Sequence, residues 1–175
     1  MSERIVVVGP KPTGADTGVA VGFHSLVQAL EDRQLSYSLV NSVPGGVPDQ
    51  PGKASLRRAI ASLCVVMNAW CVLIGARSLY MTLSTSKGGF LRGAAIILWA
   101  WLFRCRIVLH LKGGGFKEFY DAQGNLMQKF VRCVMGKSDR IIALGELLVE
   151  QFSVVPEYEK RVVVIPNGFP ANMEV

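Results

Sequence analysis

The stretch with the most chemistry in it runs Ile107-Val108-Leu109-His110-Leu111-Lys112-Gly113-Gly114-Gly115-Phe116. Its apolar half reads as a buried strand, in which alternate side chains share a face, so His110 and Lys112 point one way and Leu111 the other. Lys112 then ends the strand beside three glycines. A cation next to backbone without side chains suits a phosphate or a sugar hydroxyl, because bare N–H groups approach such a ligand closely. The bland alternatives stay open: His110 as a hydrogen-bonded core histidine, Lys112 as a cation that merely reaches solvent. Thr85-Ser86-Lys87-Gly88-Gly89 repeats the pattern of small polar residues, a cation and glycines, and Gly145-Glu146 follows another apolar run.

The fourth such stretch, residues 9–18, contains Gly14, Asp16, Thr17 and Gly18. It joins the first predicted strand to the first predicted helix and so offers that helix's unpaired amides and partial positive charge to a ligand. Asp16 or Thr17 could equally do no more than cap the helix. The spacing is neither G-x-G-x-x-G nor G-x-x-x-x-G-K-[ST], which argues against dinucleotide-binding and P-loop readings. Only two histidines, His24 and His110, occur, and no acid or cysteine cluster has metal-ligand spacing, so neither a metal nor a cofactor is expected.

These loops must be positioned by the elements between them. Apolar β-branched runs predict strands over residues 5–9, 36–41, 79–84, 106–111, 140–144 and 162–165. Helical spacing predicts helices over 19–33, 56–76, 93–103 and 146–152, and an amphipathic helix after Gly115 whose core face includes Leu126, Met127, Phe130 and Val134. Residues 44–53, with three prolines and three glycines, read as a surface loop. Strands alternating with helices imply an α/β fold with a right-handed, doubly wound, Rossmann-like parallel sheet. In such a sheet ligands bind beyond the carboxyl ends of the strands, where all four loops would fall.

At 175 residues the chain fits one domain, and with half its residues apolar and 18% charged it suits strands covered on both faces. The formal net charge of +6 favours an anionic partner. No block of five or six like charges occurs, and nucleic acid is not among the expected partners. Cys64, Cys71, Cys105 and Cys133 lack C-x-x-C spacing and lie in apolar runs, as small buried hydrophobes of a reducing compartment would. The first strand follows Met1 without an export signal, which leads us to expect a cytoplasmic protein. Residues 59–76 carry no charge; they read as a buried helix or, alternatively, as one that dips into a membrane.

Taken together, the first strand and glycine loop, the His110-Leu111-Lys112-Gly113-Gly114 strand end, the segment from Ser138 to Glu146 and Val164-Ile165-Pro166-Asn167-Gly168 occur in an order and spacing that resemble the N-terminal domain of GT-B fold, family 4 type, retaining glycosyltransferases. The resemblance covers nearly the whole chain. It implies that residues 1–165 form a Rossmann-like acceptor-binding half, that 166–175 begin a linker, and that a second domain binds the nucleotide-sugar donor. It further implies sugar transfer with retention of configuration, of hexosyltransferase type, in polysaccharide or glycolipid assembly. The partners would be that donor, a sugar or lipid-linked acceptor, and an anionic membrane surface at the inner face of the cell membrane. Gly14 and Gly18 would approach the donor phosphates. Lys112 stands where the family often carries a histidine. The catalytic candidates are Lys112, as a fixed cation, and His110; the phosphate- or acceptor-binding candidates are Gly14, Asp16, Thr17, Gly18, Ser86, Lys87, Gly113, Gly114 and Glu146. The competing readings are a non-catalytic nucleotide- or phosphate-binding module and a membrane-associated scaffold.

Overall fold

The computed structural model describes residues 4–10, 18–42 and 56–166. Among them, strands β1 (Ile5–Gly9), β2 (Tyr37–Asn41), β3 (Ser78–Thr82), β4 (Arg106–His110), β5 (Arg140–Ala143) and β6 (Val162–Val164) form one sheet in the order β2-β1-β3-β4-β5-β6. Every pairing is parallel, with Val6 opposite Ser38 and Leu79, and Thr82 opposite His110. Helices α1 (Gly18–Asp32), α2 (Leu56–Leu73), α3 (Lys87–Leu102), α4 (Phe116–Asp121), α5 (Asn125–Met135) and α6 (Tyr158–Arg161) lie between the strands. The chain is thus an α/β protein with a Rossmann-like, doubly wound sheet.

Strand alternation divides the core between the two faces. On one, Val6, Val8, Leu79, Met81, Ile107, Leu109 and Ile141 pack against α2, α3 and α5. On the other, α1 brings Phe23 onto β1 so closely that a Cβ at Gly9 would lie 2.1 Å from the Phe23 ring. Beyond α1 this second face continues as an apolar groove of about 440 Å³, with Leu26 and Leu30 on one wall and Tyr80, Val108, Ile142 and Val163 on its floor.

Several boundaries and burial expectations are corrected. Helix α3 begins at Lys87 rather than at residue 93, because Ser86 caps it by accepting the Gly89 N–H at 3.2 Å, a local bond that outweighs the paired glycines. The single helix expected after Gly115 is two, broken at Ala122–Gly124; Val134 is buried and Met127 and Phe130 pack against the core as expected, joined by buried Val131 and Met135, whereas Leu126 is 85% exposed. Residues 146–152 form two 3₁₀ turns, Glu146–Leu148 and Glu150–Phe152. Helix α2 buries only one stripe. Of the cysteines, Cys105 is buried, but Cys64, Cys71 and Cys133 are exposed, since they fall on outward positions of α2 and α5. None of the described helices is long and apolar enough to cross a membrane. The expected loop at 44–53 lies outside the described residues.

The Ser138-Asp139 pair shows why polar residues open the fifth strand. Ser138, fully buried, donates its hydroxyl to the Met135 carbonyl at the end of α5. The Asp139 carboxylate accepts the Ile107 N–H at 2.6 Å, while the Asp139 N–H donates to the Ile107 carbonyl at 2.9 Å. Arg161 adds a guanidinium bond to the Ser138 carbonyl. The segment therefore stitches β4, β5 and α6 together at the amino edge. Asp139→Ala should cost about 1–3 kcal/mol by leaving the Ile107 N–H without its charged acceptor, and Asp139→Asn, which keeps an oxygen there, should cost less. Gly9→Ala should cost a similar amount, about 1–3 kcal/mol, by overpacking against Phe23. Urea unfolding of the three variants measures all of these.

Candidate functional site

Strand order decides where a ligand crevice opens. The chain leaves β1 toward β2 on one side and reaches β3 on the other, so the loops beyond β1 and β3 diverge and leave a gap at the carboxyl edge. A cavity of about 250 Å³ occupies it, with Pro10, Ser42, Thr82, Ser84, Thr85 and Arg92 in its wall. Ser84 and Ser86 hydroxyls lie 3.1 Å apart beside the first turn of α3. A Cβ at Gly89 would lie 2.3 Å from the Ser84 Oγ, so glycine is what lets this loop close onto the helix. Arg92 crosses from α3 to hold Ser62 of α2 at 3.4 Å.

Two strands away from β1, at the end of β4, His110 is 8% exposed and its Nδ1 lies 2.5 Å from the Tyr80 hydroxyl. Burial, reinforced by the nearby Lys112 charge, pushes the His110 pKa down to about 4, so the ring is neutral at pH 7. Burial also raises the Tyr80 phenol above its ordinary value, and Tyr80 keeps its proton. The phenol therefore donates to Nδ1, which places the imidazole proton on Nε2. That Nε2 is buried and has no partner among the described residues; neither has the Thr82 Oγ1, on the strand position paired with His110. Two unmet polar atoms thus sit on adjacent strands at the same edge.

Lys112 is half-buried, and burial lowers its pKa. Gly113 and Gly115 follow at φ +139° and +91°, values that L side chains rarely adopt, so the glycines are required by the backbone itself. The loop is then pinned: the Phe116 N–H donates to Gln151 Oε1 at 3.1 Å, and a Cβ at Gly114 would touch Leu148 at 3.8 Å. Glu146 opens the neighbouring 3₁₀ turn and is exposed.

Of the residues expected from sequence, His110, Lys112, Gly113, Gly114 and Glu146 gather at the ends of β4 and β5, whereas Ser86 and Lys87 belong to the α3 side of the edge. Ser86 already spends its oxygen on the helix cap. His110 and Lys112 do not line the 250 Å³ cavity. Gly18 is the first residue of α1, and Gly14, Asp16 and Thr17 lie outside the described residues. Sequence reasoning missed Tyr80, Thr82, Ser84 and Arg92. Strand register alone could have pointed to Tyr80 and Thr82, as same-face neighbours of His110 two residues apart. Among the described residues no three His, Cys, Asp or Glu side chains gather as a metal site.

No family model matches the chain, and no curated protein matches it in sequence. Among solved structures, Anabaena HepE (Alr3699), crystallised with UDP and glucose, aligns over 97% of this chain at 16% identity and a TM-score of 0.48. The chain spans 45% of that protein. A conserved protein from Enterococcus faecalis V583 aligns over 91% of both chains at 13% identity and a TM-score of 0.35. At these values neither likeness transfers a function.

The neutral state of His110 makes stability depend on pH with a definite sign. Between about pH 6.5 and 4 the unfolded chain binds a proton at His110 that the folded protein refuses, so stability is intact above 6.5 and declines as pH falls through that window. The loss is on the order of 1–3 kcal/mol and should flatten in His110→Asn. Urea unfolding across the pH range measures it. Nitrogen chemical shifts of the imidazole should report the Nε2–H tautomer in the native protein and lose that preference in Tyr80→Phe.

Proposed function

We propose that this chain is the acceptor-side half of a sugar-nucleotide-dependent glycosyltransferase, with the donor held by a further domain and transfer occurring in the cleft between them. The observation that carries the reading is the pair of unmet polar atoms, His110 Nε2 and Thr82 Oγ1, at the carboxyl edge of the sheet beside Lys112 and its glycines. Sugars and phosphates are the ligands that use many such donors and acceptors at once. The cavity fits the same reading. At about 250 Å³ it falls below the roughly 300–1,000 Å³ of complete small-molecule pockets, as half of a shared site would. The order and spacing of the glycine loop, the β4 end, the Ser138–Glu146 segment and Ile165-Pro166-Asn167-Gly168 supply the link to retaining enzymes of this type.

Within that reading the side chains take specific roles. His110 has Nδ1 occupied by Tyr80 and its proton on Nε2, so it donates a hydrogen bond to an acceptor oxygen rather than removing a proton from it. Lys112 serves as a fixed cation holding a phosphate or an acceptor over Gly113 and Gly114. Gly18, at the start of α1, lets the backbone come close to donor phosphates together with Gly14. The acceptor class is a saccharide or a lipid-linked saccharide, and the product belongs to polysaccharide or glycolipid assembly. Residues 1–175 alone would fold but not turn over.

Kinetics of the full-length enzyme test these roles. Lys112→Ala should lower kcat/KM by about ten- to a hundredfold, the loss expected when a charged hydrogen bond of about 1.5–3 kcal/mol goes, while Lys112→Arg retains much of the activity. Equal loss in both variants would instead indicate proton transfer by the amine. Gly18→Val should abolish nucleotide-sugar turnover without unfolding the protein, and unchanged kinetics would reduce that loop to a turn. Robust transfer by residues 1–175 alone would sink the two-domain account.

A further inference from the structure

The sheet is sealed on one face and open on the other. On β4 and β5 the side chains that meet α2, α3 and α5, Ile107, Leu109 and Ile141, are buried. Their neighbours on the α1 face, Val108 and Ile142, stay partly exposed, and Val163 on β6 is 40% exposed. Helix α1 covers the β1 side and ends in the wall formed by Leu26 and Leu30; among the described residues no other element covers this face. Central strands of a parallel sheet are ordinarily covered on both faces. The uncovered stretch is the groove of about 440 Å³. That volume lies within the roughly 300–1,000 Å³ of complete small-molecule pockets, a range that the crevice at the carboxyl edge does not reach. The groove lies on the face opposite α2 and α3, and its polar end is at the amino edge of the sheet, so it is a different place from that crevice.

The charges at the amino end select the occupant. Arg106 on β4 and Arg140 on β5 both line the groove, on one face of paired strands, and Ser78 stands opposite Arg106 on β3. Both arginines are exposed, and neither has an acidic partner among the described residues; the Arg140 guanidinium donates to the Asp139 carbonyl at 2.9 Å. Like charges on neighbouring strands of one face repel unless an anion joins them. No aspartate or glutamate among the described residues lines the groove. Beyond the arginines its surface is apolar as far as Tyr80, whose hydroxyl is already bonded to His110. One cationic end and one apolar length fit a single-chain amphiphile with an anionic head. Phosphate sites recruit free backbone N–H groups. Here the amides belong to the strand ladder, the Arg106 N–H donating to the Arg77 carbonyl, whereas a planar carboxylate matches the guanidinium fork directly.

We infer that this groove binds a single-chain fatty carboxylate, its head held by Arg106 and Arg140 and its chain lying over Val108 and Ile142 toward Tyr80. The inference goes beyond the sugar-transfer reading and does not depend on it, because this ligand is neither donor nor acceptor. Calorimetric titration of the full-length protein with sodium dodecanoate tests it. Saturable one-to-one binding is expected. Arg106→Ala and Arg140→Ala should each weaken it by about tenfold or more, the loss expected for a charge-assisted bond, and uncharged dodecanol should bind the native protein at least about tenfold more weakly than dodecanoate does. Shortening the chain to octanoate should cost at least about tenfold, because each methylene leaves water on binding. Val108→Phe, which fills the floor with a side chain that suits a strand, should abolish binding with the thermal melt unchanged. Both arginines are exposed, so their variants keep the fold whatever Val108→Phe does. The imidazole nitrogen shifts of His110 should move during the titration, since the chain ends against the Tyr80 ring. No saturable binding, as when another part of the polypeptide fills the groove, would overturn the inference. So would equal binding of dodecanol, indifference to both arginine variants, or tighter binding of dodecyl phosphate than of dodecanoate.

Discussion

The reversal of winding direction at β1 is the constraint from which the rest of this molecule follows. Parallel strands cannot be joined by hairpins, so every pairing requires a crossover, and crossovers in one sheet are right-handed. With β1 between β2 and β3, the first crossover places α1 on one face, and the later ones place α2, α3 and α5 on the other. Two consequences are built in. The loops beyond β1 and β3 separate and open the crevice. The helices also end up unevenly distributed: among the described residues α1 shields one face, while α2 and α3 form a continuous layer over the other.

The sheet was legible in the sequence because strands covered on both faces are apolar along most of their length, and runs such as Ile5-Val6-Val7-Val8 and Ile107-Val108-Leu109 have no other economical reading. Helix phase was less legible. In a segment such as 59–76, where nearly every residue is apolar, composition does not distinguish inward from outward positions, and so Cys64 and Cys71 looked buried when they are exposed. Leu126 fails for a different reason. It is five residues before Val131, well around the helix from the stripe set by Val131, Val134 and Met135, and the break at Gln123 and Gly124 that fixes this phase is a local turn. The start of α3 depended on one hydroxyl, that of Ser86, against two glycines.

The candidate site was legible in its loops and not in its pairings. His110, Lys112 and the glycines announce themselves by residue type at a strand end. What sets the chemistry of His110 is Tyr80, thirty positions earlier, brought beside it by the pairing of β3 with β4. That bond changes the meaning of the histidine. With its Nδ1 already accepting from a phenol and its pKa near 4, His110 is at once the core histidine of the bland reading and a ligand group, because the same burial that satisfies one nitrogen leaves the other with nothing to bond.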